Sequence, residues 1–446
     1  MASEALIPYR QPTGEGILPS QEILDLVRNG IICSPKEISE DQIQPASIDL
    51  RLSNEAYRVR ASFLPGRSTT LLNKATSNGM LNSTLDISSP TLLEPSVIYV
   101  IELMETLNLP SDVFGIANPK STTGRLDVFT RLITEHGDEF ERVRRGYHGK
   151  LYIEVVSQTF PIIVQAGMRL NQLRFVRGKF LPAGDARLKQ LDQDALLVEP
   201  EDDVTQAGLI DRGLRMTVDL QGNGSEIVGY QAKRFAPPID LGKVNYYDMA
   251  EFWTPIQRNE KLQHVLEPNE FYILASKQRV RVPPDLAAEM LPYDLATQEF
   301  RVHYAGFFDP GFGYGKRGEI PGTKVVLEVR ASQMPILLED NQFVGRVNYF
   351  NMSAEPEKVY GVTIGSSYQQ QGLAVSKQFK REAQFSSRTV QENRTAQEER
   401  TGASRSSQGS DGQQSTDSDE QDSPLLKLAF PSSHREAEVR AMKSQE

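Results

Sequence analysis

The sequence predicts a mainly β protein: two tandem antiparallel β-barrel or jelly-roll domains, few short helices, and a disordered C-terminal tail. Three observations carry that prediction. Apolar and polar residues alternate in short runs broken by Gly, Pro, Asn and Asp. Three segments of the first half recur in order, at matched spacing, in the second. From about Lys377 the chain becomes rich in Ser, Gln, Glu and Arg and nearly loses its aromatic and β-branched residues.

Taken in order, residues 1–15 form an extension, MASEALIPYRQPTGE, without a signal-peptide core. The clearest helix follows in ILPSQEILDLVRNG, with Ser20 as N-cap, apolar Ile23, Leu24, Leu26 and Val27, and Gly30 as the stop. Strand patterns then run through a first domain, 16–181. PASIDLRL (Pro45–Leu52) parallels RMTVDLQG (Arg215–Gly222), and SVIYVIELMETLNLPSDVFG (Ser96–Gly115) parallels NEFYILASKQRVRVPPDLAA (Asn269–Ala288). KLYIEVVSQTFP (Lys150–Pro161) parallels KVVLEVRASQMP (Lys324–Pro335). The spacing agrees: 44 residues separate Pro110 from Glu154 and 45 separate Pro283 from Glu328. A duplication therefore places a linker at 182–203, a second domain at 204–376 and the tail at 377–446, which is too polar to offset its ordering entropy.

The bulk figures exclude several functions. With 446 residues, 39% hydrophobic and 24% charged, the chain has material for two or three ordinary globular domains. A net charge of −10 argues against broad nucleic-acid binding. The single cysteine, Cys33, leaves no internal disulfide and fits a reducing cytoplasm. No apolar run reaches membrane-spanning length.

Glutamate is a poor strand former and costly to bury, yet Glu154 and Glu328 each occupy the middle of an apolar strand in matching frames. Side-chain alternation puts Glu154 beside Tyr152 and Val156, and Glu328 beside Val326 and Arg330. A carboxyl there suits a general acid/base; an ion pair at a barrel rim, with Arg330 as partner for Glu328, explains it as well. NPKSTTGRLDV (Asn118–Val128) gathers Lys120, Ser121, Thr122, Gly124 and Arg125, a set that can cradle a polyphosphate, though a helix-capping turn accounts for Ser121 and Thr122 equally. HYAGFFDPGFGYGKRGEIPG (His303–Gly322) interleaves aromatics with glycines around Asp309: either a ring-stacking surface with a sugar-hydroxyl acceptor or an Asp-Pro-Gly turn between core aromatics. The five histidines form no HxxxH pair, and the H-x-E with P-C-x-x-C signature is absent, so no zinc site is expected.

Together these pieces resemble the dCTP deaminase branch of the dUTPase-like superfamily. PASIDLRL is similar to that family's A-[ST]-x-D-[VL]-R-L motif, PKSTTGRL to its phosphate loop R-S-S-x-A-R, AGFFDPGF (Ala305–Phe312) to its A-G-x-I-D-P-G-[FW] segment, and YQQQGLAVSK (Tyr368–Lys377) to its closing flap. LYIEVV and VVLEVR both resemble the strand bearing its catalytic glutamate, and the double length matches its duplicated bacterial members. The resemblance implies distorted dUTPase-like barrels, Glu328, Glu154 and Arg125 as catalytic candidates, and Lys120, Ser121, Thr122, Arg125, Asp309, Phe312, Val326 and Gln370 as nucleotide contacts. It further implies zinc-independent conversion of dCTP to dUTP and ammonia, Mg²⁺ carried by the triphosphate, possible dTTP feedback, and a homo-oligomer with threefold or pseudo-threefold symmetry.

The two copies differ. The first holds the phosphate loop but has Arg144-Arg145-Gly146-Tyr147 where the second has Asp309-Pro310-Gly311-Phe312. The second holds that turn and the flap, but its loop position reads PYDLATQEFR (Pro292–Arg301). The resembled family forms its sites between subunits, the loop from one and the sugar aspartate and glutamate from another, so the resemblance implies one composite site per chain: Ser121, Thr122 and Arg125 from the first half, Asp309 and Glu328 from the second, closed by Gln370. Glu154 is then the relic. Two alternatives stay open. A dUTP pyrophosphatase, alone or combined with deamination, is suggested by RGYHGKL (Arg145–Leu151), although Arg144–Arg145 stand where its water-activating aspartate belongs. The other is a nucleotide-binding scaffold without turnover.

Overall fold

The computed structural model describes residues 14–193, 197, 210–222, 224–292, 300–303, 306–331, 334–361 and 372–380. Gln370, most of PYDLATQEFR and the tail beyond Lys380 lie outside the described residues.

The alternating runs form antiparallel ladders. In the first half, Val128–Thr134, His148–Ser157, Ile98–Asn108, Ile48–Val59, Arg169–Arg177 and Val113–Pro119 pair in that order within one sheet. The second half repeats the order in two pieces: Phe300–His303, Thr323–Ala331 and Phe271–Val280, then Leu214–Thr217, Phe343–Asn351 and Leu286–Pro292. A bridge between Val218 and Ser276 joins the pieces.

The duplication extends to single residues. Ser96 and Asn269, aligned by the repeat, both adopt φ of 60° at the turn entering the long strand. Their amides donate to Ser157 O at 2.7 Å and Ala331 O at 2.9 Å. The buried Tyr99 and Tyr272 each accept, at their hydroxyls, the amide of the residue five earlier, at 3.2 and 2.8 Å. Two sequences that share so few identities reach one backbone because burial, period and turn geometry recur.

The halves are packed into one another. Ile17, Ile116 and Val176 of the first share an apolar cluster with Ala287, Phe307 and Phe350 of the second. The Phe180 and Phe350 rings stack at 4.1 Å. Ile162–Val164 pairs with Thr91–Leu93 of its own half and, in parallel, with Ile239–Asp240 of the other. Removing this apolar area from water at about 25 cal/mol per Å² makes the junction part of the core.

Three expectations shift. The first helix runs Ser20–Arg28 with Pro19, not Ser20, at the N-cap; Ser20 is its first turn and Gly30 ends it at φ 66°. The expected linker holds a helix, Asp185–Gln193, whose Leu188 is fully buried in the second half's core. The ordered chain also runs past the expected start of the tail, with Phe379 only 1% exposed. Among the described residues, no helix is long and apolar enough to cross a membrane.

Candidate active site

The ladder makes Glu154 and Glu328 structural twins. Glu154 lies opposite Val100 on one side and Arg131 on the other. Glu328 lies opposite Ile273 and His303, the matching positions. Their surroundings differ. Arg131 donates to Glu154 Oε1 from Nε at 3.0 Å and from Nη2 at 2.5 Å, while its guanidinium covers the Phe140 ring at 3.7 Å. Glu154 is thus a clasped ion-pair member. Glu328 is 5% exposed, and burial pushes its carboxyl up from the ordinary 4.5 to about 8. The opposing influence is Arg125, whose Nε stands 4.0 Å from Glu328 Oε1. Loop arginine and strand glutamate from opposite halves therefore meet within one chain.

Arg330 does not fill the role expected of it. It ion-pairs with Asp127 of the first half, and its Nη2 donates to Thr159 Oγ1 at 2.9 Å. Two residues along the strand, Glu328 is left to Arg125.

The strand Val113–Pro119 leads into a single helical turn, Ser121–Gly124. Its N-cap is Lys120, with no side-chain cap bond, so the capping explanation for Ser121 and Thr122 fails. Both residues are half-buried. Arg125 N closes the turn on Ser121 O at 3.0 Å, and Thr123 Oγ1 donates to Leu170 O at 2.9 Å. The Lys120 ammonium pairs with the buried Asp49.

Arg174 crosses from the first half to organise the Asp309 turn. It donates from Nη1 to Ala288 O at 3.0 Å, and from Nη2 to Phe308 O at 2.8 Å and Asp309 Oδ1 at 3.2 Å. Burial raises the Asp309 pKa, and Arg174 opposes the rise. Gly311 sits at φ 92°, where an added Cβ would come within 2.2 Å of Val359 Cγ1, so only glycine makes this turn. The structure shows the Asp-Pro-Gly turn between core aromatics: Phe312 N closes a turn on Asp309 O at 3.0 Å, and Phe312 packs against Phe308 and Tyr360 in the core. Val326, 9% exposed, lies two residues before Glu328 on the same strand face.

The end of the expected flap rests on the loop. Arg125 Nη1 donates to Ala374 O at 3.2 Å, and Ser376 Oγ donates to Thr122 O at 2.7 Å. Phe379 anchors this segment edge-to-face against Phe252 and Trp253, at 5.3 and 5.9 Å. Beside it a cavity of about 320 Å³ is lined by Lys120, Arg169 and Lys377, with Asp49 the acid among them. Among the described residues, no group of three or more His, Cys, Asp or Glu side chains is placed to hold a metal ion.

Residues 14–179 match the N-terminal domain model of 2'-deoxycytidine 5'-triphosphate deaminase, and residues 184–379 match its C-terminal domain model. The chain belongs to the dCTP deaminase family. The crystal structure of the 2'-deoxycytidine 5'-triphosphate deaminase from Agrobacterium tumefaciens is 41% identical, with a TM-score of 0.71, and covers 77% of this chain and 100% of its own. A dCTP deaminase of Halorubrum lacusprofundi is 26% identical over 165 residues, 36% of this chain and 78% of its own. A dUMP-forming dCTP deaminase of Dictyoglomus thermophilum is 24% identical over 164 residues, 36% of this chain and 80% of its own. Each of these two relatives spans one copy's worth of this double-length deaminase.

Three residues that hold these candidate groups in place escaped sequence reasoning: Arg174, Asp127 and Ser376. Arg174 had a signal. RLNQLRFVR (Arg169–Arg177) carries a charged residue inside a strand that is buried almost throughout, the same anomaly that marked the glutamates. Asp127 and Ser376 act through contacts between halves, which local pattern does not encode. Glu141 shows why a raised pKa alone is not a criterion: burial lifts it to about 8 also, yet it serves as acceptor for the Leu132 amide at 3.1 Å.

Proposed function

We propose that this protein hydrolyses dCTP to dUTP and ammonia, with Glu328 as the acid/base at one composite site per chain. The observation that carries the proposal is the approach of Arg125 to the buried Glu328, whose carboxyl burial pushes up to about 8. A general base works best when its pKa lies near the working pH. Glu328 takes a proton from water as the oxygen bonds to C4 of cytosine. That proton is delivered to N3 and stays there; the proton of the new C4 hydroxyl then passes by way of the carboxylate to the exocyclic nitrogen, the C4–N bond breaks, ammonia leaves, and the C4 carbonyl of uracil forms. Arg125 orients the carboxylate and limits the rise of its pKa.

The remaining residues bind. Lys120, Ser121, Thr122 and the cationic cavity with Lys377 receive the triphosphate and the Mg²⁺ it brings. Asp309, held by Arg174, accepts from a deoxyribose hydroxyl, while Phe312 and Val326 support the ring and Gln370 joins from the flap. We place the enzyme in the cytoplasm, as a homo-oligomer of threefold or pseudo-threefold symmetry open to dTTP feedback. The test is ion-exchange analysis after incubation with dCTP and Mg²⁺, with and without EDTA or a zinc chelator. Formation of dUTP that resists the zinc chelator supports the reading, dUMP adds pyrophosphate release, and unchanged dCTP under binding conditions refutes it.

A further inference from the structure

We infer that Asp127 and Arg330 are positioning residues, a clamp between the halves that sets the approach of Arg125 to Glu328. The inference rests on the proposed role of Glu328. Arg125 and Asp127 stand two apart in the loop, and Glu328 and Arg330 stand two apart on one strand face. The result is two adjacent cross-half pairs of opposite polarity, Arg125 with Glu328 and Asp127 with Arg330.

The second pair is the firmer. Asp127 is fully buried and takes the left-handed φ of 58°, which Asp tolerates better than most residues. Its amide donates to Gly124 O at 2.9 Å, its carbonyl accepts Gln158 N at 3.0 Å, and its carboxylate accepts Thr159 Oγ1 at 2.5 Å. Arg330 is held from its own half by the Asn269 carbonyl. At 4.0 Å the Arg125–Glu328 approach exceeds hydrogen-bond length, so no bond between the two fixes it; Arg125 is also held by the Ala374 carbonyl, and the neighbouring pair sets how closely its loop lies to the strand. Among the described residues, the charged neighbours of Glu328 are Arg125 from the loop and Arg330 on its own strand; Ile273 and the titratable His303 hold the cross-strand positions.

Freeing the clamp weakens the support Arg125 gives the Glu328 carboxylate. An approach lengthened by about 2 Å at intermediate dielectric loses roughly one pH unit of that support. The experiment measures kcat and kcat/KM against pH for the full-length enzyme and for Asp127→Asn, Arg330→Gln and Arg330→Lys, with unfolding midpoints recorded for each. Asp127→Asn keeps both shape and backbone preference, so it stands if Arg330→Gln folds poorly. The expected result is an acidic limb displaced upward by about one unit and kcat lowered on the order of tenfold in both neutral variants. Arg330→Lys should bring the limb back toward wild type. A limb unmoved in both neutral variants overturns the inference, as does Arg330→Lys displacing it as far as Arg330→Gln. Glu328→Gln run in parallel separates the two readings: if it retains activity, the role of Glu328 fails; if it is inactive and the limbs do not move, only the clamp fails.

Discussion

Replacing each twin glutamate with glutamine should move stability in opposite directions and activity in one case only. Burial raises the Glu328 carboxyl from 4.5 to about 8, so the folded state binds a proton that the unfolded chain releases. A raised carboxyl pKa leaves stability intact below the unfolded value and erodes it as pH climbs toward the folded value. At about 1.36 kcal/mol per unit, the penalty is about 3 kcal/mol at pH 7, levels off near 5 kcal/mol above pH 8 and vanishes near pH 4.5. Glu328→Gln removes the titrating group and should stabilise the fold by about 1–3 kcal/mol at pH 7, the amide's own hydrogen-bond needs taking part of the gain. It should lower kcat by roughly a thousandfold. Glu154→Gln removes the charge that pairs with Arg131 and weakens its two bonds, and should destabilise by about 1–3 kcal/mol while leaving turnover near wild type. Urea unfolding at pH 7 and pH 5, beside chromatographic dUTP formation, reads both effects. Equal residual activity in the two variants would refute the composite site, and a Glu328→Gln gain that persists undiminished at pH 5 would refute the buried-acid account.

In wild-type enzyme the acidic limb of kcat/KM should lie near pH 8, since the carboxylate is the working form; a pH-rate profile checks this, and a limb near 4.5 would contradict it. Arg125→Gln should displace that limb upward and reduce kcat/KM by about a hundredfold or more, measured in the same profile. Arg174→Met removes the cation that holds Asp309 and should destabilise by about 3–5 kcal/mol, seen as a lower urea midpoint. Ser376→Ala loses the bond to Thr122 O and should raise KM for dCTP about fivefold with kcat little changed, as initial-rate kinetics will show.

Much of the fold was legible because its causes are local. Alternation marks strands whichever half they sit in, and Ser96 and Asn269 take the same left-handed turn as their aligned positions require. The meeting of Arg125 and Glu328 was also reachable, since one copy lacked the loop and the other lacked the Asp-Pro-Gly turn. What stayed hidden depends on tertiary packing. DARLKQLDQ shows only Leu188 and Leu191 at helical spacing, and its helix exists because the second half's core receives them. Arg330 stood in sequence beside Glu328, yet its partner came from the other half; strand alternation says which face a side chain shares, not which body packs against that face.

The divergence of the two copies comes down to what stands across the ladder from each glutamate. Position 131 holds an arginine, whose two hydrogen bonds occupy an oxygen of Glu154 that a base would offer to water. The matching position in the second copy is His303, and among the described residues the nearest guanidinium arrives from the other half at 4.0 Å, near enough to steady the carboxylate without a bond on it. A proton shuttle needs burial to raise its affinity for a proton and a cation held just short of claiming that proton's place. Here burial and a cation from the other half meet at Glu328 within one polypeptide, while Arg131 clasps the glutamate of the first copy in the sheet.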